Sequence, residues 1–551
     1  MLRLIPLGGL GEVGANCLLL EQGDESVAID VGATFPVDDY GVDYLHPRFD
    51  HLLDRLDRFR GVVLTHGHED HIGALGALAR SVLAAGMERL DVWGPEHALR
   101  LVATRLTEEE VPFVRHGEEA PPAAHLCLRV VEPGAPFQVG PFTFEAITVT
   151  HSIPCATALA IDTAAGRVLH TGDFKLDPEP VDGQPTDEPR LAALGDAGLE
   201  LLLSDSTNVL REGFAGSERT AAAALDRVMA EAPERLVVGL FASNLHRVRS
   251  VGEACARHGR KLVLLGRSVR RHVEVGRAMG LLDWPSDRVV SPEAALDLPR
   301  REVAVLASGT QGEARGALRR LASASHPALR LEPGDCVALS SRVIPGCERA
   351  VYRMVDDLLR LGVEVRHAGT DPDIHVSGHA QRGDQTRMIE LCRPRAFMPI
   401  HGTRAHLERH AALASSLGVT QTLIVENGEV ARLTREGLAR DGAVVAGKVA
   451  TNAGLVLDDE TLRERRQLGR GGIVFVVVEV AAEAARVTLR GIPHGAEVIE
   501  AARVIAVREM RQGASRSLRL AERVRRAVRR ELERILGQRP VVEVTVIEAE
   551  P

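Results

Sequence analysis

Four side chains able to bind a divalent metal fall within six residues: His66, His68, Asp70 and His71, in the string Thr65-His66-Gly67-His68-Glu69-Asp70-His71. Imidazole suits zinc and similar ions, and a set of three protein ligands leaves a position open for a reacting oxygen. The apolar run Val62-Val63-Leu64 before the string reads as a buried strand. After it, Ile72, Leu75, Leu78 and Val82 are spaced as one face of a helix. A tight loop between strand and helix directs all four side chains toward one cavity.

Such a cluster needs partners from elsewhere in the chain, and three stand in equivalent places. The strand expected over Ala146-Ile147-Thr148-Val149-Thr150 ends at His151, that over Val168-Leu169-His170-Thr171-Gly172 ends at Asp173, and that over Ala396-Phe397-Met398-Pro399-Ile400 ends at His401. Sites of α/β sheets assemble just past the carboxyl ends of strands. Five histidines and two aspartates suffice for two cations about 3.5 to 4 Å apart, a pair that clamps the attacking and leaving oxygens of an in-line displacement. Asp173 is the best placed carboxylate to bridge them. Asp30, at the end of Val27-Ala28-Ile29, reads equally as a carboxylate orienting a ligand loop or as a turn cap.

The elements that must position these groups alternate between strand and helix, as in a layered α/β fold. Gly9-Leu10-Gly11-Glu12-Val13-Gly14 matches the dinucleotide fingerprint, but strands over Asn16–Leu20 and Val27–Asp30 follow where that fingerprint requires a helix. A glycine-rich hairpin is the better expectation. At 551 residues the chain has room for roughly two to four domains. The amino terminus lacks the uninterrupted apolar core of a signal peptide, and Ile473–Val478 is far too short to span a bilayer, so a cytoplasmic protein without a membrane segment is expected. Seven cysteines with no Cys-x-x-Cys pair fit a reducing compartment.

A net charge of -9 excludes a chain that is basic throughout, although residues 451–551 carry 18 Arg against 15 acids. The helix expected over Ser517–Leu536 sets Leu518, Val524, Val528, Leu532 and Ile535 on one side and arginines around the other, which reads equally as a solvated face or as one that contacts a nucleic acid. Aromatic residues make up only 3%, which favours phosphate contacts over base stacking for any nucleic acid bound here.

The His66–His71 motif, His151, His170-Thr171-Gly172-Asp173 and His401 resemble the metal motifs of the metallo-β-lactamase superfamily. The resemblance implies one metal on His66, His68 and His151, another on Asp70, His71 and His401, and Asp173 between them. Leu203-Ser204-Asp205-Ser206-Thr207-Asn208, Phe241-Ala242-Ser243-Asn244-Leu245-His246-Arg247 and His375-Val376-Ser377-Gly378-His379-Ala380 resemble its nucleic-acid-processing β-CASP branch. With Ser308-Gly309-Thr310-Gln311-Gly312-Glu313 and Met398-Pro399-Ile400-His401-Gly402, the likeness is to the bacterial ribonuclease J family over nearly the whole length.

That resemblance implies an αββα sandwich over 1–208 and 367–447, a β-CASP α/β domain inserted at 209–366 and a small α/β carboxy-terminal domain at 455–551. It implies metal-dependent RNA hydrolysis with two divalent ions, zinc or else manganese. By the same likeness His379 donates the proton to the leaving 3′ oxygen, oriented by Asp205. Ser243, Asn244 and the turn His375, Val376, Ser377, Gly378, His379 bind the terminal phosphate. The implied activity is 5′-to-3′ exonuclease with preference for 5′-monophosphorylated single-stranded RNA, together with endonuclease action, in RNA maturation and decay, by a homodimer or larger homo-oligomer. Two other readings stand beside it. A small-molecule lactonase or thioesterase should lack the β-CASP strings, and a catalytically silent RNA-binding subunit is disfavoured by the complete ligand set.

Overall fold

The computed structural model describes residues 1–36, 40–118, 125–344, 346–493, 496–512 and 517–548. They form two compact units, residues 1–35 with 45–448 and residues 36–44 with 449–551.

The larger unit contains two sheets stacked face to face. The nine-stranded sheet has Leu2–Gly8, Cys17–Gln22, Glu25–Ile29, Phe59–Val63 and Leu90–Gly94 as consecutive neighbours, and the seven-stranded sheet includes Phe142–Thr148, Thr157–Thr163, Gly166–His170, Leu201–Asp205 and Ala396–Ile400 in that order. Alternate residues of both sheets interlock in one core, with Leu4, Leu20, Val27, Ile29 and Val63 from the first and Phe142, Phe144, Leu159, Leu201 and Met398 from the second. Strand runs into strand after Gly9–Gly14, so the expected hairpin is present.

The register of this sandwich positions the chemistry. Ile29 pairs with Val63, which sets Asp30 beside the start of the histidine string. In the second sheet Leu203 pairs with both His170 and Met398, so Asp173, Asp205 and His401 emerge from three adjacent parallel strands. The helix expected from Ile72 to Val82 is two helices, Glu69–Ile72 and Leu75–Ala84. At the break, a Cβ on Gly73 would meet Glu69 O at 2.3 Å and Ala33 Cβ at 2.8 Å, so the chain passes too close to its neighbours for anything but glycine.

Between the paired strands Leu201–Asp205 and Ala396–Ile400, the chain leaves to build a six-stranded sheet. Its order is Val289–Val290, Lys261–Leu265, Val303–Ala307, Leu236–Leu240, Cys336–Ser340 and Glu364–His367, all parallel. Helices cover both faces, one holding Leu225, Val248 and Val251 and the other Leu318, Met354 and Leu358. Its inner strands Val303–Ala307, Leu236–Leu240 and Cys336–Ser340 are buried along their whole length and almost wholly apolar, as burial on two faces demands.

The smaller unit has the sheet Ala484–Arg490, Ile473–Glu479, Val541–Ile547 under the helices Ala496–Arg511 and Ser517–Leu536. Leu520, Val524, Val528 and Leu532 form the buried stripe of the second helix, whereas Leu518 and Ile535 are 85% and 40% exposed, contrary to the expected face. Both lie at the helix ends. Residues 36–44 join this unit because Arg465 Nη1 donates to the carbonyls of Tyr40 and Gly41 and Asp43 accepts from Ala453 N, a pairing no local pattern announces. The end of the expected carboxy-terminal domain, 549–551, lies outside the described residues.

Candidate metal centre

Asp30 opens the site from beneath. Its carboxylate accepts from Thr65 N and Thr65 Oγ1 at 2.8 Å each and lies 2.7 Å from His71 Nδ1, while Thr65 Oγ1 lies 3.0 Å from His66 Nδ1. One buried carboxylate therefore fixes two imidazoles through their Nδ1 atoms and leaves the Nε2 atoms facing inward. Asp30 and His401 both adopt left-handed backbone, φ 59° and 53°, a conformation that costs a non-glycine residue free energy and is held by the surrounding structure. Asn16, which the motifs did not mark, donates to Asp70 O at 3.1 Å and holds the loop from the other side.

Asp173 is the centre of the arrangement. Its Oδ1 is 3.0 Å from His401 Nδ1, and its Oδ2 is 3.2 Å from His71 Nε2, 3.6 Å from His66 Nε2 and 3.7 Å from His151 Nε2. His68 Nδ1 sits 3.1 Å from His66 Nε2 and 3.0 Å from His151 Nε2, and Asp70 Oδ2 is 3.3 Å from His401 Nε2. The donors form three groups sharing Asp173: one of His66, His68 and His151, one of Asp70, His71 and His401 as the resemblance implies, and a third of Asp205, His379 and His401. All seven side chains expected as ligands are brought together.

The donor chemistry fits divalent cations. His68 Nδ1 lies at hydrogen-bond distance of two other imidazole nitrogens, although each shared pair accommodates one proton at most. Asp173 Oδ2 and His401 Nε2 are buried and make no hydrogen bond. Buried polar atoms without partners are rare, and a cation among them satisfies all of these atoms together. Burial, then the charge of His71, holds the His66 imidazole well below its usual range, and burial pushes His68 down to about 4, so both present lone pairs. Burial alone would raise the Asp173 carboxyl, but His401, His71 and His379 around it hold it well below the carboxylate range.

Beside this group, His379 Nδ1 is 2.9 Å from Asp205 Oδ2, and Asp205 Oδ1 accepts from Thr207 N at 2.9 Å and Thr207 Oγ1 at 2.6 Å. Burial works against a charged His379, but Asp205 and Asp173 outweigh it and raise its pKa. The turn carrying His379 is tied to the ligands: Gly378 O lies 2.7 Å from His151 Nδ1, and a Cβ on Gly378 would fall 2.4 Å from Ser152 Oγ. Ser377 Oγ accepts from Asn208 Nδ2 at 2.7 Å and from His379 N at 3.1 Å.

The remaining expected phosphate contacts have other work. Asn244 is buried and caps the helix Leu245–Arg257, its Oδ1 accepting from Arg247 N, with its Nδ2 turned to Glu218. Arg247 Nη1 lies 2.7 Å from His375 Nδ1, and its Nη2 donates to Val376 O at 3.2 Å. Ser243 precedes that cap and is half-buried. Thr207, Asn208 and Arg247 belong to strings already quoted, where neighbouring residues drew the attention; Glu218 carried no signal.

Comparison with known proteins follows the same division of the chain. Family models match as the beta-lactamase superfamily domain over 38–192, the ribonuclease J beta-CASP domain over 233–358, the Zn-dependent metallo-hydrolase RNA specificity domain over 372–425 and the ribonuclease J C-terminal domain over 460–549. The ribonuclease J of Thermus thermophilus is 37% identical over 99% of this chain and 95% of its own length. The chain belongs to the ribonuclease J family. Its ribonuclease J relative from Mycolicibacterium smegmatis is 36% identical over 99% of this chain and 97% of that one, and the one from Helicobacter pylori 34% over 87% and 68%. A crystal structure of a protein of unknown function from Enterococcus faecalis shares the fold, with TM-score 0.52 and 15% identity over 78% of this chain and 99% of that chain. As in the family, the architecture is a metallo-β-lactamase sandwich with a β-CASP insertion and a carboxy-terminal domain. Among the described residues no helix is long and apolar enough to cross a membrane.

Proposed function

We propose that this chain hydrolyses phosphodiester bonds of single-stranded RNA with two divalent cations, zinc or manganese, as a 5′-to-3′ exonuclease that prefers a 5′ monophosphate and also cuts internally. One observation carries the reading: two donor sets share buried Asp173, with a carboxylate-held histidine beside them at His379. Cations in those sets supply Lewis acidity, lowering the pKa of attacking water and offsetting charge on the phosphoryl oxygens.

The chain's own residues do the rest. Asp30 and Thr65 hold His66 and His71 in one ring orientation, and Gly378 O does the same for His151. Asp205 engages His379 Nδ1 and so leaves its Nε2 to carry the proton that the leaving 3′ oxygen requires. Ser377 Oγ, with Ser243 and the backbone of 375–379, forms the pocket for the terminal phosphate. The doubly substituted Ser243→Ala, Ser377→Ala enzyme is expected to lose its discrimination between monophosphorylated and hydroxyl ends; full discrimination would remove that pocket from the account. Two copies join through the carboxy-terminal sheet, whose outer face leaves Phe475 and Ile547 43% and 50% exposed; light scattering giving a monomer would refute this.

The deciding experiment is a 3′-labelled RNA with a 5′ monophosphate, incubated with the chain and zinc or manganese. Release of mononucleotides is the expected result. Ester turnover without RNA cleavage would make the chain a small-molecule hydrolase, and binding without cleavage a silent RNA-binding subunit.

A further inference from the structure

A concavity on the inserted domain lies away from the residues assigned above. A cavity of about 700 Å³ opens where the strands Lys261–Leu265 and Val303–Ala307 end, bounded by Gly266, Arg267, Arg270, Arg315, Arg320 and His326. Two close approaches shape it. Gly266 has φ +110° and a Cβ there would sit 2.1 Å from Ser308 Oγ, while Gly309 and Gly316 meet at similarly short range.

Its charge is unusual for this chain. Most arginines here have carboxylate partners, yet Arg267, Arg270, Arg315 and Arg320 make no ion pair or side-chain hydrogen bond among the described residues. The next arginines along the chain show the contrast, Arg271 pairing with Glu108 and Arg319 with Asp357. Among the described residues Glu293 is the single carboxylate on the cavity wall. Four like charges around one concavity repel one another unless an anion joins them. Burial, and then the Arg320 charge, keep the His326 imidazole below its usual pKa.

The position matters too. The sheet is parallel throughout, so all its strands end at one edge. At that edge Leu236–Leu240 leads to Ser243–Arg247, and Cys336–Ser340 leads to Arg342, whose Nη1 donates to Asn208 Oδ1 at 2.8 Å beside the His379 turn. The cavity lies on the same edge, two to three strands from Cys336–Ser340 and so about 10 to 15 Å along it at the usual strand spacing. Guanidinium forks match phosphate oxygens, and the carboxyl edge of an α/β sheet is where ligands collect.

We propose that this pocket is a second phosphate-binding site, taking backbone phosphates of an RNA strand whose end is engaged at the metal centre. It rests on the RNA reading above and adds an anchor that a short substrate does not reach. The strand path thus runs along the carboxyl edge of the inserted sheet.

The test uses the full metal-loaded chain in a His379→Ala background, so that the strand survives. Binding of single strands of about 20 and about 4 nucleotides is followed by fluorescence anisotropy over a salt series. Arg267→Gln, Arg270→Gln and Arg315→Gln together should weaken the longer strand roughly 10-fold, leave the shorter unchanged, and reduce the salt slope by about 2, the loss of three phosphate contacts on single-stranded RNA. Arg227→Gln with Arg301→Gln is the control. Both are exposed, Arg301 just before the strand Val303–Ala307 and so at the opposite edge. An unchanged affinity and slope, or an equal loss in the control, would overturn the proposal. So would titration with uridine 5′-monophosphate showing nucleotide binding abolished while strand affinity holds, since the pocket would then serve free nucleotide. A starting protein that bound neither strand would bring down the RNA reading itself, which separates the two failures.

Discussion

The metal centre and a second buried cluster, around Glu218 and Arg247, both gather charge away from water, and they answer it differently. Arg247 Nη2 donates to both Glu218 oxygens at 2.8 and 2.9 Å, and its Nη1 donates to Ser340 O at 3.0 Å. Lys175 Nζ donates to Gly216 O at 3.1 Å and lies 3.4 Å from Asp177, whose Oδ2 accepts from Glu218 N at 2.9 Å. There the charges meet partners within the protein. At the metal centre, Asp173 Oδ2 lies 3.2 Å from His71 Nε2 and His401 Nε2 3.3 Å from Asp70 Oδ2, yet neither atom makes a hydrogen bond. Charge that is fully answered joins pieces of the fold, while charge left open and convergent is arranged for something that binds. The two clusters are neighbours in sequence, since Asp173 and Lys175 are two residues apart.

The contrast gives variants different signatures. Asp173→Ala should reduce RNA hydrolysis by about 10³-fold or more, because it removes the carboxylate that the donor sets share; activity retained would erase the distinction. His379→Ala should cost about 10²- to 10⁴-fold in kcat with metal content unchanged, read by single-turnover cleavage and elemental analysis. Arg247→Met, in the answered cluster, should lower unfolding free energy by about 3 to 5 kcal/mol, whereas Glu218→Met with Arg247→Met should lose less, since no charge is then stranded.

The smallest effect sharpens the comparison through pH. Burial opposes ionised Glu218, but Arg247 and then Lys175 prevail and hold its carboxyl at about 2, below its ordinary 4.5. A carboxylate with a depressed folded-state pKa stabilises fully above its unfolded value, and that contribution fades as pH falls toward the folded one. Between pH 5 and pH 2.5 wild type should therefore lose stability more steeply than Glu218→Gln in urea titrations. Parallel curves would mean the pair contributes nothing.

How much of this was legible depended on range. His66, His151, Asp173 and His401 each follow an apolar run, so local pattern alone put them at strand ends. Their convergence required the pairing of Leu201–Asp205 with Ala396–Ile400 across nearly two hundred residues, which only the resemblance to a family supplied. Asp30 looked like either of two things, and its bonds to Thr65 and His71 select the orienting carboxylate. Glu218 was invisible because an acid opening a helix looks like any first-turn acid. The break at Gly73 and the exposed Leu518 were misread for a shared reason. Periodicity records which residues are apolar, and tertiary approach decides where a helix stops and what covers it.

Elemental analysis of the purified chain beside Asp173→Ala tests the central claim most directly. Two zinc or manganese ions per wild-type chain, with at least one lost in the variant, is the expected result. A wild-type chain that held no ion after dialysis against either metal, or an Asp173→Ala chain that retained both, would contradict it.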